Sequence, residues 1–573
     1  MALVPAGASP ELLAERSLSP GLMSAGLGSV PVAQTYLDIS QGNRVFDSLY
    51  DEELPDELGG GICGPAYSEA VVDRAESAPA DVVPGLLAST LVAAGESCEV
   101  RSASLRALPS LVEGLRGDDL LIAIERAPPA EGRALVVGIA GKGFGGNLTS
   151  DSTRTDGYVL STDVAPTVLD RLGVEVPDEM SGEPIRSEGD VDAAAVESLG
   201  DRLAAIPERR GPVIGFALAI WLGALVLVVA ATRGRVAGAG VKLVGLSVVY
   251  LPPTLLLGAA LEPSQGVEQL LTIVGAPLLA LLTLAAWRDY RALAVASGLT
   301  VLAYAVDVVA GSPLTSLSLL GPNPGLGVRF YGIGNELEAL LAVLVVAGSG
   351  AALSGFAPRL DPRRSALVFL AAGLFFAFVF AAGRFGADVG AAIVLPVGAA
   401  VAAAAVADRR RRGIFVAIAV PFAALALLAL IDLVSGANAH LTRSVLDAGG
   451  LDELADVAQR RLQLSARSFT RPVVLVFLPL LVALAALAIA ERERIALWLR
   501  DLPAMRAGLI GALAATVVGA LANDSGALLL EIGAAYLLVF TGFAWASAGG
   551  PTGVSVPQTK SYTSVSPTRE NFP

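Results

Sequence analysis

From residue 211 to residue 547 the chain is a succession of apolar segments, each close to 20 residues long and parted by short polar breaks. About 20 apolar residues are what an α-helix needs to cross the hydrocarbon core of a bilayer. In lipid every backbone polar group must be satisfied inside the segment or by a closed barrel, so segments of this length and continuity read as helices. Eleven spans are expected, at residues 212–232, 238–260, 268–287, 291–311, 336–356, 365–382, 387–407, 414–434, 472–490, 505–522 and 528–547. The sixth and seventh, and the tenth and eleventh, are separated by only a few residues, so re-entrant or broken helices are alternatives there. Whole-chain values agree: 16% of residues are charged and mean hydropathy is +0.64, where a soluble chain carries about a quarter charged.

Charge divides the chain in two. Residues 1–210 hold 15 Lys and Arg against 34 Asp and Glu; residues 211–573 hold 25 against 20. An acidic, water-soluble front therefore precedes the membrane half, and it lacks the basic surface that nucleic acid requires. The front alternates strand-like runs, DLLIAIE at 119–125 and ALVVGIA at 134–140, with stretches of helical spacing at 84–94, 104–115 and 165–172. Thr162 and Asp163 are candidate caps for the last of these. Such alternation predicts an α/β layer structure over residues 1–186. Residues 187–210 read as a charged connector, 211–548 as the transmembrane helical domain, and the Ser/Thr/Pro-rich stretch 549–573 as a disordered tail.

Loop arginines set the expected orientation. Alternate connections carry 18 basic residues, including Arg233, Arg291, Arg364, Arg409 and Arg494, while the other side carries seven. The richer side is expected in the cytoplasm. This places the front domain outside the cytoplasm and the C-terminus inside, in a multi-pass protein of the inner (plasma) membrane. Residues 1–20 lack a basic region followed by an apolar core, so an export signal is expected upstream of Met1. In an oxidising compartment Cys63 and Cys98 could pair; two buried free thiols are the alternative.

On that orientation the polar breaks of the membrane half collect on its outer side. They are GVRFYGIGNELE at 327–338, GRFGADVG at 383–390, ANAHLTR at 437–443 and ANDSG at 522–526. Ionisable groups at membrane depth are costly, and they face cavities or one another. The ligand-binding candidates are Arg329, Asn335, Arg384, Asn523 and His440, the only histidine; Glu336, Asp388 and Asp524 are candidate bases, with Glu338 and Glu531 beside them. Guanidinium groups among carboxylates suit a phosphate or pyrophosphate head group, which arginine grips with two parallel hydrogen bonds. Structural ion pairs closing the bundle are the competing account. Asp307 and Asp432 read as interfacial, and residues 451–469 as an amphipathic helix on the outer leaflet. GKGFGG at 141–146 fits a dinucleotide-binding pattern literally, but the turn-like sequence after it argues against the required helix.

Residues 162–185, TDVAPTVLDRLGVEVPDEMSGEPI, resemble the C-terminal part of alkaline-phosphatase-superfamily enzymes. The resemblance implies a partial alkaline-phosphatase-like fold in which this stretch is scaffold beside the site. The whole chain is similar to a family of bacterial polytopic membrane proteins that join such a domain to a helix bundle. It shares QTYLDISQGNRV at 34–45, RFYGIGNE at 329–336, GADVG at 386–390 and NDSG at 523–526; the likeness implies no established activity. The enzymes bind two metals through Asp and His, and the front domain contains no histidine. A degenerate, non-hydrolytic relative is therefore expected, without metal or cofactor, with Asp163 and Thr167 serving as a helix start. The expected function is handling of an envelope lipid or polyprenyl-linked phosphate at the outer leaflet. The alternatives are a transporter or flippase with broken helices, and a non-catalytic scaffold for an envelope protein.

Overall fold

The computed structural model describes residues 1–78, 80–126, 134–408, 465–470, 472–523 and 525–549. The eighth expected span, His440, Asp524, residues 451–464 of the expected amphipathic helix and the tail beyond residue 549 lie outside the described residues.

The front of the chain folds around a six-stranded sheet of order β3-β1-β4-β5-β2-β7. Its strands are β1 (Ala2–Val4), β2 (Ser19–Ser24), β3 (Arg101–Ser102), β4 (Leu121–Glu125), β5 (Leu135–Ala140) and β7 (Tyr158–Leu160). The two expected apolar runs are β4 and β5, buried along their whole length because helices and loops cover both faces of the sheet. β5 runs antiparallel to both its neighbours, while every other pairing in this sheet is parallel. Helices α1 (Pro10–Ala14), α2 (Val32–Gln41), α3 (Glu69–Glu76), α4 (Leu86–Ala93), α5 (Leu108–Glu113) and α6 (Val164–Arg171) surround it. The glycine-rich stretch after β5 leads into β6 (Asn147–Thr149), which pairs with β8 (Arg186–Glu188), so no helix opens there to receive a dinucleotide. Cys63 and Cys98 are joined in a disulfide, with Cα atoms 5.5 Å apart.

Residues 193–210 are not a separate connector. They form the first turns of one 39-residue helix, α7 (Ala193–Ala231), that runs on into the membrane half. Val196, Leu199 and Leu203 lie along one face of it and pack against Leu22 and Tyr158 of the sheet and against Phe330. Burial of that apolar face fixes the front domain to the bundle.

Behind α7 come α8 (Ala237–Leu261), α9 (Gln265–Ala286), α10 (Tyr290–Val309), α11 (Asn335–Phe356), α12 (Pro362–Ala381) and α13 (Val389–Val406). They are followed by α14 (Pro472–Ala490), α15 (Arg492–Trp498), α16 (Pro503–Ala522) and α17 (Gly526–Ser547). Among the described residues nine helices are long and apolar enough to cross a membrane. They correspond to nine of the eleven expected spans, and α14 occupies the position of a tenth. The close pairs α12/α13 and α16/α17 are complete helices of 20, 18, 20 and 22 residues. At 1.5 Å per residue each is about a membrane thickness long, so none of the four is a half-helix. α11, α13 and α16 form the tightest part of the bundle, with Gly350 facing Gly508 and Gly398 facing Gly511. Small residues let backbones approach closely where lipid supplies no hydrophobic drive.

Prolines inside these helices release carbonyls that lipid cannot satisfy. Pro252 and Pro253 free the carbonyls of Val248 and Val249, and Pro277 frees that of Ile273. Each is bonded by a side chain from another helix: Tyr536 Oη to Val248 at 3.1 Å, Thr300 Oγ1 to Val249 at 2.9 Å, and Trp221 Nε1 to Ile273 at 3.0 Å. Trp221→Phe is expected to cost about 1 kcal/mol of stability in detergent. The cost should vanish in a Pro277→Ala background, where the helix supplies its own N–H; an equal loss in both backgrounds would refute the pairing.

Candidate functional site

Among the described residues, the polar breaks at 327–338 and 383–390 and Asn523 fold against one another at the end of the bundle that meets the front domain. Asp307, near the end of α10, accepts from Leu314 N at 3.1 Å and Thr315 N at 2.7 Å, which starts the loop 310–334. Gly332 has φ +77°, and a Cβ there would stand 2.0 Å from Gly386 O. Only glycine allows this approach, and Ile333 N then bonds Gly386 O at 3.0 Å. The RFYGIGNE and GADVG motifs are thus one structure.

Five of the expected residues converge there. Arg329 Nη1 donates to Ile333 O and reaches Asp388 Oδ1 at 3.4 Å. Asp388 Oδ2 caps α13 by accepting from Ala391 N at 3.1 Å. Asn523 Nδ2 donates to Asn335 Oδ1 at 3.2 Å and to Glu338 Oε2 at 2.8 Å. Glu336 turns away and pairs with Arg210 of α7 at 3.1 Å. Residues 336 and 338 are two positions apart on a helix, so they cannot share a face. Glu531 Oε1, in α17, is buried without a hydrogen bond from any described residue.

Arg384 lies on the rim of this cluster. Its side chain is exposed, its guanidinium stands 5.3 Å from the Phe385 ring centroid, and it forms no ion pair among the described residues. Arg154 of the front domain donates to Arg384 O at 3.1 Å and stacks 4.1 Å above the Tyr331 ring. Arg154 was not expected from sequence, and its φ of +53° is a conformation that only surrounding structure maintains. Arg329, with its side chain one-third exposed, completes the rim.

The front domain presents the carboxyl ends of β2 and β7 to the same seam, the edge at which open α/β sheets place ligands. Gly28 N bonds Leu326 O at 2.8 Å and Tyr158 Oη donates to Pro324 O at 3.1 Å. Gly327, at φ +71°, has no room for a Cβ, which would sit 2.0 Å from Gly26 O. Behind this contact Asp38 is buried, accepting from Gln34 Nε2 at 2.7 Å and Gln41 Nε2 at 3.4 Å. Burial outweighs these bonds and the nearby Arg44 and Arg74, and holds its carboxyl up at about 8. Arg44 stands 5.3 Å from the Phe330 ring centroid, and its buried Nη1 bonds no described residue. Asp38 and Arg44 both fall within QTYLDISQGNRV, a motif noticed without a role. Asp163 is saturated by Ser150, Ser152, Leu160 N and Glu183 N at 2.7–3.0 Å. Its oxygens are committed to the turn that starts α6. Thr167 likewise bonds Asp163 O and accepts from Ile185 N.

Among the described residues no three His, Cys, Asp or Glu side chains are grouped to hold a metal ion. Fold and site together define a polytopic helical membrane protein with an α/β domain docked on one end of its bundle. Comparison with protein-family models, curated proteins and solved structures yields no match.

Proposed function

We propose that this membrane protein binds the anionic head group of an envelope lipid, or of a polyprenyl-linked phosphate, at the seam between its α/β domain and the outer end of the bundle. One observation carries the reading. Arg154, Arg329 and Arg384, from three separate segments, share one rim on which Arg384 has no carboxylate partner among the described residues. Guanidinium groups exposed beside aromatic rings suit phosphate oxygens, and Tyr331 and Phe385 offer apolar contact to the lipid attached. The arginine-rich connections lie at the far end of the helices, which supports an extracytoplasmic front domain under the positive-inside rule. The disulfide fits the same compartment. In this reading the α/β domain, related to alkaline phosphatases but without their histidines, is a non-hydrolytic lid. Asp388 and Glu336, already engaged by Arg329 and Arg210, favour binding over turnover.

The test is native mass spectrometry of the full chain titrated with phosphatidylglycerol and with phosphatidylcholine. The wild type is expected to retain the anionic lipid selectively, and Arg154→Ala/Arg384→Ala to lose at least tenfold in affinity with unchanged thermal stability. Equal retention by the double variant would remove the proposal.

A further inference from the structure

Glu338 and Asp388 meet inside the outer end of the bundle with fewer donors than their oxygens require. Glu338 lies in the first turn of α11 and Asp388 at the start of α13; each residue is 2% exposed. Their carboxyl groups are within hydrogen-bonding reach of one another. Donors reach Glu338 Oε2 from Asn523, and Asp388 Oδ1 and Oδ2 from Arg329 and Ala391 N. Glu338 Oε1 is buried and receives no hydrogen bond from any described residue. Gly390 brings the carboxyl this close: a Cβ there would stand 2.5 Å from Glu338 Oε2 and 2.6 Å from Oε1.

The charges do not balance. One guanidinium, Arg329, faces two carboxyl groups; Asn335 and Asn523 are neutral, and Glu336 is turned to Arg210. A second bare negative charge is costly at this depth, and two acceptor oxygens that face each other repel. A proton removes one charge, turns one acceptor into a donor and leaves one carboxylate for one guanidinium. We propose that Glu338 and Asp388 bind a single proton between them, forming a proton-binding site at the outer end of the bundle. A bridging divalent metal is the other solution for two carboxylates. It would need about six oxygens, and no third acidic, histidine or cysteine side chain joins the pair among the described residues. The site shares Arg329 with the head-group reading, but its tests alter neither Arg154 nor Arg384, so either proposal can fail without the other.

Infrared difference spectroscopy of the full chain in lipid nanodiscs at pH 7 tests it. Asp38→Asn serves as the background, because Asp38 holds a proton of its own at pH 7; there a protonated-carboxyl band sensitive to deuterium exchange is expected, and its intensity falls when Glu338→Gln or Asp388→Asn is added. Glu338→Gln places a permanent N–H donor where the proton sits, so its melting temperature should match the wild type. A second readout needs no variant: dicyclohexylcarbodiimide, which reacts with protonated carboxyls in apolar surroundings, should label Glu338 or Asp388 in the wild type. A band intensity that neither added variant changes would overturn the proposal. So would a stoichiometric divalent metal in elemental analysis that the double variant lacks.

Discussion

Glu268→Ala is expected to destabilise the protein by about 3–5 kcal/mol, the usual effect of leaving one member of a buried ion pair without its partner. Glu268 is fully buried in the first turn of α9. It accepts two parallel bonds from Arg202, at 3.0 and 3.3 Å, and a third from Arg209 at 3.3 Å. Arg202 is itself 4% exposed and, among the described residues, otherwise holds only Leu317 O, at 3.0 Å. Removing the carboxylate therefore strands a guanidinium where water cannot reach it. The same contact joins α7, α9 and the loop 310–334, so loosening it also loosens the seam under the α/β domain. Thermal unfolding in detergent measures the loss. Arg202→Met/Glu268→Leu, which replaces the bidentate pair by apolar side chains of similar size, should recover most of it. A single variant as stable as the wild type would show that the pair carries no weight.

This triad also marks where sequence reading stopped. The spans were legible because hydrophobic length is a local property. Residues 238–260 and 505–522 correspond to Ala237–Leu261 and Pro503–Ala522. Residues 193–210 were misread because their charge dominated the average. Yet Val196, Leu199, Leu203 and Ile206 recur at intervals of three and four and are all buried, which is the signature of a helix with one covered face. Partner choice left no such trace. Glu268 lies 66 residues from Arg202, and no periodicity links them. Of the polar breaks, sequence grouped those at 327–338 and 383–390 with Asn523 at one end but could not divide them. Glu338 faces Asp388 and Glu336 faces Arg210 because two helical positions differ by about 200°. Asp38, inside a noticed motif, went unremarked because nothing in its neighbours announces burial.

That burial gives Asp38 a pH signature. An aspartate in the unfolded chain titrates near 3.9, whereas the folded domain holds Asp38 at about 8 because desolvation disfavours its charge. Below about pH 4 the group is protonated in both states and contributes nothing to pH dependence. Between about 4 and 8 the folded state keeps a proton that the unfolded state has released. Stability then falls as pH rises, by at most about 1.4 kcal/mol per unit. Above about 8 both states are ionised and the whole penalty is in place. Asp163, also raised by burial, acts in the same direction, so the informative quantity is the difference between the wild type and Asp38→Asn. Asparagine reproduces the neutral carboxyl: its oxygen still accepts from Gln34 and Gln41, and Gln34 Oε1 still accepts from Arg74 at 3.2 Å. The variant is expected to match the wild type near pH 4 and to exceed it increasingly toward pH 8. Thermal melts of the front domain within the full chain, followed by near-UV circular dichroism from pH 4 to 8, provide the comparison. Parallel curves would mean that Asp38 is ionised in the folded domain and that Arg44 compensates it.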